Sequence, residues 1–249
     1  MVEPSDTLGT WQLTLHQAPH GYRFALEAFL LADFVPARAA HPLIDLGTGC
    51  GVVVLLLARR FPQARLVGLE LQHSLVVLAH QNVACNGLEH RIGIVQGDIR
   101  QVPSLFSSGV FSTVVCNPPY RAVGNGRLNP NPEKAIARHE LTVTLPQLVR
   151  AAQHLLCRRG RLVMVYHPSR LSELCARLET AHLRPHRLRL VHATTQAPAS
   201  MVLVEATRDG RHALTVLPPL WVYEPSGGYT AEMQAIFQGR AVRSRGIVG

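Results

Sequence analysis

Seven residues, Asp45-Leu46-Gly47-Thr48-Gly49-Cys50-Gly51, stand between a short apolar run at 42–46 and a second apolar stretch at 52–60. Glycines at alternate positions let a strand turn directly into a helix, and they let a ligand approach the backbone closely. The spacing is G-x-G-x-G. A dinucleotide fingerprint, G-x-G-x-x-G, needs its third glycine at position 52, where this chain has Val52. A pyrophosphate cradle is therefore not indicated. Taken alone, the turn also fits a tight strand-to-helix connection that binds nothing.

The pattern around this turn is regular. Apolar runs predict strands over 42–46, 65–69, 91–96, 111–116 and 161–166, and periodic stretches predict helices over 52–60, 74–85, 145–156 and 169–182. Two more strands are predicted over 187–192 and 201–206 with no helix between them. Alternating strands and helices make a mostly parallel, doubly wound α/β sheet with helices on both faces. The last two strands can pair only as an antiparallel hairpin at the sheet edge, because a parallel return needs a longer crossover. Seven strands in this arrangement are the architecture of class I methyltransferases, a Rossmann-like fold. Ahead of it, residues 22–34 have near-helical apolar spacing ended by Pro36, and Trp11 and Leu13 suggest an edge strand or hairpin. The chain reads as effectively one domain: an appendage over 1–40, a core over 41–210 and an extension over 211–249. Residues 121–140 and the tail after 206 lack periodicity, and a long loop after a strand of such a sheet lies where ligands bind.

Two further strand ends carry carboxylates. Glu70 follows the second strand, where an acid can accept from both hydroxyls of a ribose, and Asp98 follows the third, where it can accept from the exocyclic amine of an adenine. Leu71 and Ile99 are placed to flank the ribose and the base. Singly, each acid is more often a solvated charge. Together with Asp45, Gly47, Thr48, Gly49, Cys50 and Gly51 they point to S-adenosylmethionine, whose methyl group is already activated and needs no metal. The thirteen histidines show no metal-binding spacing with a carboxylate in register.

The fourth strand ends in Asn117-Pro118-Pro119-Tyr120. Exocyclic amines and amide nitrogens are poor nucleophiles because the lone pair is delocalised. The Asn117 side-chain oxygen and the Pro118 carbonyl can accept from the two N–H bonds of such a group and favour its pyramidal form. Prolines fix the direction of that carbonyl, and Tyr120 offers a ring on which a planar base can stack. Asn117 is also counted among the cofactor contacts. The rival reading is a rigid turn with no chemistry.

Five unclustered cysteines, with no C-x-x-C, argue against a disulfide framework or a zinc site and for a reducing cytoplasm. No run is long enough to span a membrane, and the first residues do not resemble a signal peptide. The formal charge is +9, with Lys134 the only lysine. Arginines crowd residues 158–189, and strand alternation puts Arg187 and Arg189 on one face, a ridge suited to phosphates or else a solvated basic edge. RNA is the expected partner, with the enzyme a monomer or weak homodimer.

The glycine turn, the Asn117–Tyr120 tetrad and further blocks make the chain resemble the bacterial tRNA adenine-N6 methyltransferase family, whose best-known activity modifies the adenine beside the anticodon of a valine tRNA. Those blocks are Gly21-Tyr22-Arg23-Phe24, Gly126-Arg127-Leu128-Asn129-Pro130, Ala137-Arg138-His139-Glu140 and Val202-Leu203-Val204-Glu205. The resemblance implies that Tyr22 and Arg23 line the cofactor or target pocket. It also implies that the loop carrying Arg121, Arg127, Arg138 and His139 borders the target base, with Arg138 and His139 contacting nucleic acid. Three other readings stay open. A protein glutamine-N5 methyltransferase faces the same chemical problem, but its family has a larger helical region before the glycine turn. A DNA adenine methyltransferase is expected to carry a separate target-recognition domain. A non-catalytic cofactor-binding protein is disfavoured by the intact tetrad.

Overall fold

A computed structural model describes residues 5–17, 26–37, 39, 41–118 and 143–240. An antiparallel hairpin opens it, β1 (Ser5–Leu8) and β2 (Leu13–His16), followed by helix α1 (Leu26–Phe34). The alternating core is β3 (Leu43–Leu46), α2 (Val52–Arg60), β4 (Leu66–Glu70), α3 (His73–Cys85), β5 (Ile92–Gln96), the short α4 (Val102–Leu105) and β6 (Phe111–Cys116). It continues with α5 (Leu145–Leu155), β7 (Leu156–Tyr166), α6 (Leu171–Thr180), β8 (Leu183–His192) and β9 (Ala199–Arg208). The tail adds β10 (Thr215–Val216), β11 (Leu220–Trp221) and α7 (Ala231–Phe237).

The sheet runs β8-β9-β7-β6-β3-β4-β5, parallel except for β9, which is antiparallel to both β7 and β8. The seven-stranded, doubly wound order with its antiparallel C-terminal hairpin matches the sequence expectation. Two additions do not come from the periodic pattern. The two-residue strands β10 and β11 both pair in parallel with β8, making nine strands. Segments this short carry no periodic signal. Strand β7 starts five residues earlier than its apolar run, across a register shift opposite Phe111 and Thr113. Strand β8 starts four residues early, with Pro185 at a register shift, where a strand tolerates proline.

Helix α2 is apolar all round, Val52 to Ala58, because it is buried between the sheet and α1. One apolar cluster joins the hairpin, α1, α2, α3 and α7 on one face of the sheet, and a second joins α5 and α6 on the other. The N-terminal hairpin and the C-terminal tail thus share one core: Trp11 donates its indole N–H to the Phe237 carbonyl at 2.8 Å.

Candidate active site at the carboxyl ends of four adjacent strands

The chain leaves β3 toward β4 and β5 on one side and returns to β6 on the other, so the switch point of the sheet lies between β3 and β6. Ligands of open α/β sheets bind at the carboxyl ends of strands at that point. Four neighbouring strands, β6, β3, β4 and β5, deliver Asn117, the glycine turn, Glu70 and Asp98 to this one edge.

Gly47, Gly49 and Gly51 have φ of 76°, 58° and 86°, the left-handed region that strains any residue with a Cβ. A methyl group added at Gly47 or Gly49 would meet nothing within 4 Å among the described residues, so bare backbone is open to a ligand there. The turn is held from below by Gly47 and Thr48 N–H donation to the Leu69 carbonyl, at 2.8 and 3.0 Å. Glu70 is buried and accepts from Gly49 N–H through Oε2 and from Gln72 N–H through Oε1, each at 2.9 Å. A carboxylate oxygen has two lone-pair sites, so Glu70 keeps acceptor capacity while bracing the turn.

Asp45 is fully buried beneath the turn. Desolvation pushes its carboxyl up to about 7, opposed by the nearby Thr48 hydroxyl and reinforced by the Glu70 charge. Asp45 Oδ2 and Thr48 Oγ1 are both buried and lie near each other, but neither makes a hydrogen bond of good geometry among the described residues. Buried polar atoms are normally satisfied. Two orphans beside open glycine backbone fit a group that brings its own polar atoms, as the amino-acid and ribose parts of S-adenosylmethionine do.

Asp98 differs from the free acceptor expected of it. Its carboxylate accepts from Arg100 N–H at 2.8 Å and from the Arg100 guanidinium, and these bonds hold it below the ordinary carboxylate value. It caps the short turn Ile99–Gln101. Leu71 and Ile99 are half-buried at the same edge.

Asn117 and Pro118 follow β6 directly and are half-buried. Cys116 pairs with Leu46, so Asn117 and the glycine turn leave the ends of adjacent strands whose spacing is about 4.8 Å. The thiols nearby are not nucleophiles. Burial raises Cys50 to about 11 and Cys116 well above its ordinary value, and Cys116 donates to the Leu46 carbonyl at 3.2 Å. Pro119, Tyr120, Tyr22, Arg23, Arg121, Arg127, Arg138 and His139 lie outside the described residues. No group of three or more His, Cys, Asp or Glu suited to a metal occurs among the described residues.

Two contributors were not singled out from the sequence. Gly68, in β4, lies under Thr48: a Cβ there would come within 2.7 Å of the Thr48 methyl. An isolated glycine in a strand is the signal for such close approach. Asn82, in α3, is completely buried. Its amide donates to the Cys50 carbonyl at 2.9 Å and the His16 carbonyl at 3.0 Å, and it accepts from His16 N–H at 2.7 Å. One turn on, Asn86 does the same for Thr14, accepting from its N–H at 2.9 Å and donating to its carbonyl at 2.7 Å. Two amides on one helix face thus stand in for a neighbouring strand to β2. Only Asn82 also grips the glycine turn. A polar residue at a core position of an amphipathic helix was the available signal.

The phosphate ridge is corrected. Arg187 and Arg189 do share a face, but their guanidiniums have partners inside the fold. Arg187 reaches the buried Glu205 at 2.8 Å, donates to the Phe34 carbonyl and lies 4.1 Å over the Phe34 ring. Arg189 pairs with Glu232 at 2.7 Å and donates to the Pro218 carbonyl at 2.9 Å. Burial would raise the Glu205 carboxyl, but His186, Arg187 and Arg161 outweigh it and hold it low. These arginines join β8 to α1 and α7.

A family model for the methyltransferase small domain matches residues 26–174, most of the sheet and the whole glycine-turn edge. The chain belongs to the methyltransferase small-domain family. Within it, a tRNA1(Val) (adenine(37)-N6)-methyltransferase of Porphyromonas gingivalis is 31% identical over 81% of each chain. One of the same name from Shewanella halifaxensis is 29% identical over 74% of each. Among solved structures, a protein of Agrobacterium tumefaciens described as a predicted O-methyltransferase superposes with a TM-score of 0.69 at 22% identity, over 86% of this chain and 97% of that one. That likeness concerns the fold. Family membership makes the chain an S-adenosylmethionine-dependent methyltransferase, and the glycine cradle with its two orphaned polar atoms fits that donor.

Proposed function

We propose that this methyltransferase modifies N6 of an adenine in tRNA, at the adenine beside the anticodon of a valine tRNA. Two supports meet here. The relatives that match four-fifths of the chain bear that activity in their names. The observation that carries the chemistry is that Asn117 follows β6 directly while the glycine turn follows the adjacent β3, with Cys116 and Leu46 the last paired residues, which supports an amine holder beside the donor cradle.

The donor supplies a methyl group on a sulfonium. Asp45, Thr48, the bare backbone at Gly47 and Gly49, and Glu70 hold it at the turn, and Leu71 and Ile99 flank its nucleoside. Asp98 reaches an adenine amine with the acceptor capacity that Arg100 leaves. The Asn117 carboxamide oxygen and the Pro118 carbonyl accept from the two N–H bonds of the target amine, directing its lone pair at the methyl group. Tyr120 stacks on the target base. No strong base is needed, because the proton leaves to solvent after the methyl group is attached. The family resemblance gives Tyr22 and Arg23 the role of lining the cofactor or target pocket, and Arg121, Arg127, Arg138 and His139 that of bordering the target base. The enzyme works in the cytoplasm, where its substrate resides, and its five cysteines are free thiols.

Incubation with unmodified tRNA and labelled donor, followed by digestion to nucleosides, is expected to give labelled N6-methyladenosine. With a release factor supplied in a parallel reaction, label in its glutamine and none in RNA overturns this reading in favour of amide methylation.

A further inference from the structure

The tail after β9 presents an aromatic surface that methyl transfer does not use. Strand alternation buries Leu220 and Val222 and turns Trp221 and Tyr223 outward. A tight loop through Gly227 and Gly228, both at positive φ, brings Tyr229 opposite Tyr223. Their rings stack with centroids 5.2 Å apart and planes 22° apart. Trp221, Tyr223 and Tyr229 are 40%, 42% and 42% exposed, a costly arrangement for a cluster with no partner.

Tyr229 is anchored to the core. Tyr229 meets Phe237 edge-on at 4.8 Å, Phe237 meets Phe29 edge-on at 5.1 Å, and Phe29 packs on Trp11 at 6.4 Å. A ladder of rings thus runs from the core to the exposed pair. Arg189, paired with Glu232, fixes α7 beneath it. Preorganised rings lose little freedom when a flat partner docks.

Its position relates it to the reaction. Strand β8 is parallel to β7 through two antiparallel pairings, and Trp221 pairs with His192 at the carboxyl end of β8. Trp221 therefore faces the same edge of the sheet as Asn117. Four strand steps separate β11 from β6, roughly 19 Å. That is about six stacked base steps at ~3.4 Å each, a span that one RNA arm covers.

We propose that Trp221, Tyr223 and Tyr229 form a stacking platform for an unpaired base of the RNA substrate, roughly six base steps from the target adenine. This rests on tRNA being the substrate. The chemistry favours a base over phosphate. Glu224 and Thr195 line the hollow beside the rings. A carboxylate there accepts from a base amino group and repels a phosphate. Stacking on aromatic rings is how proteins take up unpaired RNA bases.

The chain holds only two tryptophans, and Trp11 is buried, so Trp221 reports on the platform directly. Titration with full-length tRNA is expected to quench tryptophan emission, and Trp221→Phe is expected to remove most of that change. Trp221→Ala and Tyr223→Ala are each expected to raise the KM for tRNA about tenfold, the range for loss of one stacked base, while S-adenosylmethionine affinity of the free protein moves less than twofold. A wild-type enzyme that binds and methylates tRNA with no change in Trp221 emission and unchanged KM in both variants overturns the platform and leaves the substrate reading intact. A wild-type enzyme that neither binds nor methylates tRNA overturns both.

Discussion

Asn82 is where the N-terminal hairpin and the donor cradle meet, and its removal should separate binding from stability. Asn82→Ala deletes three hydrogen bonds of a completely buried side chain, to His16 N–H and the His16 carbonyl, both half-buried, and to the buried Cys50 carbonyl. At about 1 kcal/mol each the loss is ~3 kcal/mol, and the partners left bare in the core push it higher. For a chain of this size that lowers Tm by roughly 6–12 °C. Asn86→Ala deletes the matching bonds to Thr14 one turn away, at a half-buried position, and should lower Tm by about half as much. The two variants diverge at the glycine turn, because only Asn82 holds Cys50. Calorimetric titration with S-adenosylmethionine, below both melting transitions, should show affinity about tenfold weaker in Asn82→Ala, the equivalent of one hydrogen bond of ~1.4 kcal/mol. In Asn86→Ala it should change less than twofold. Equal weakening in both variants would mean that the hairpin acts only as a lid on the core, and the coupling through Cys50 would be wrong.

Other expectations follow from the same geometry. Gly49→Ala puts a Cβ at φ 58° and a methyl group into the open side of the turn, so donor binding measured by calorimetry should be lost while the variant stays folded, at a cost of roughly 1–2 kcal/mol. The Asp45 carboxyl is raised in the fold from its ordinary 3.8 to about 7, so the donor-free folded state holds a proton that the unfolded state releases. That contribution is favourable near pH 4 and fades as pH rises to about 7. Melting curves of Asp45→Asn should lack this part of the decline, and a parallel pH profile for the two proteins would contradict the burial argument. Arg187→Ala strips the buried Glu205 of its 2.8 Å partner but leaves His186 and Arg161 beside it, and should cost about 1.5–3 kcal/mol in denaturant unfolding. It should also leave the slope of log affinity for RNA against log salt unchanged; a slope reduced by about one would return Arg187 to the phosphate contacts.

Much of the sheet was legible in the chain. Strand β6 and helix α2 fall on the residues their apolar runs mark, because Val114–Cys116 and Val52–Ala58 are buried and carry a continuous apolar signal. The antiparallel pairing of β8 with β9 followed from the absence of a helix between them. The tail was not legible. Strands β10 and β11 are two residues each, and α7 is held by contacts with Trp11 and Phe29 from the far end of the chain. Arg187 and Arg189 looked like a basic ridge because their carboxylate partners, Glu205 and Glu232, become neighbours only through strand register and the packing of α7. The donor edge was legible residue by residue, but its bracing was not. That Glu70 holds Gly49, that Arg100 holds Asp98 and that Gly68 makes room for Thr48 are facts of three-dimensional packing.

The central claim is that Asn117 holds the amine beside the donor cradle. Its most direct test is methyl transfer to unmodified tRNA by Asn117→Ala, with donor affinity measured on the same preparation. Loss of a preorganised acceptor should lower kcat by about 10²–10³-fold, with N6-methyladenosine the product of the wild-type enzyme and donor affinity kept within about threefold. Turnover by Asn117→Ala within twofold of wild type would contradict the claim.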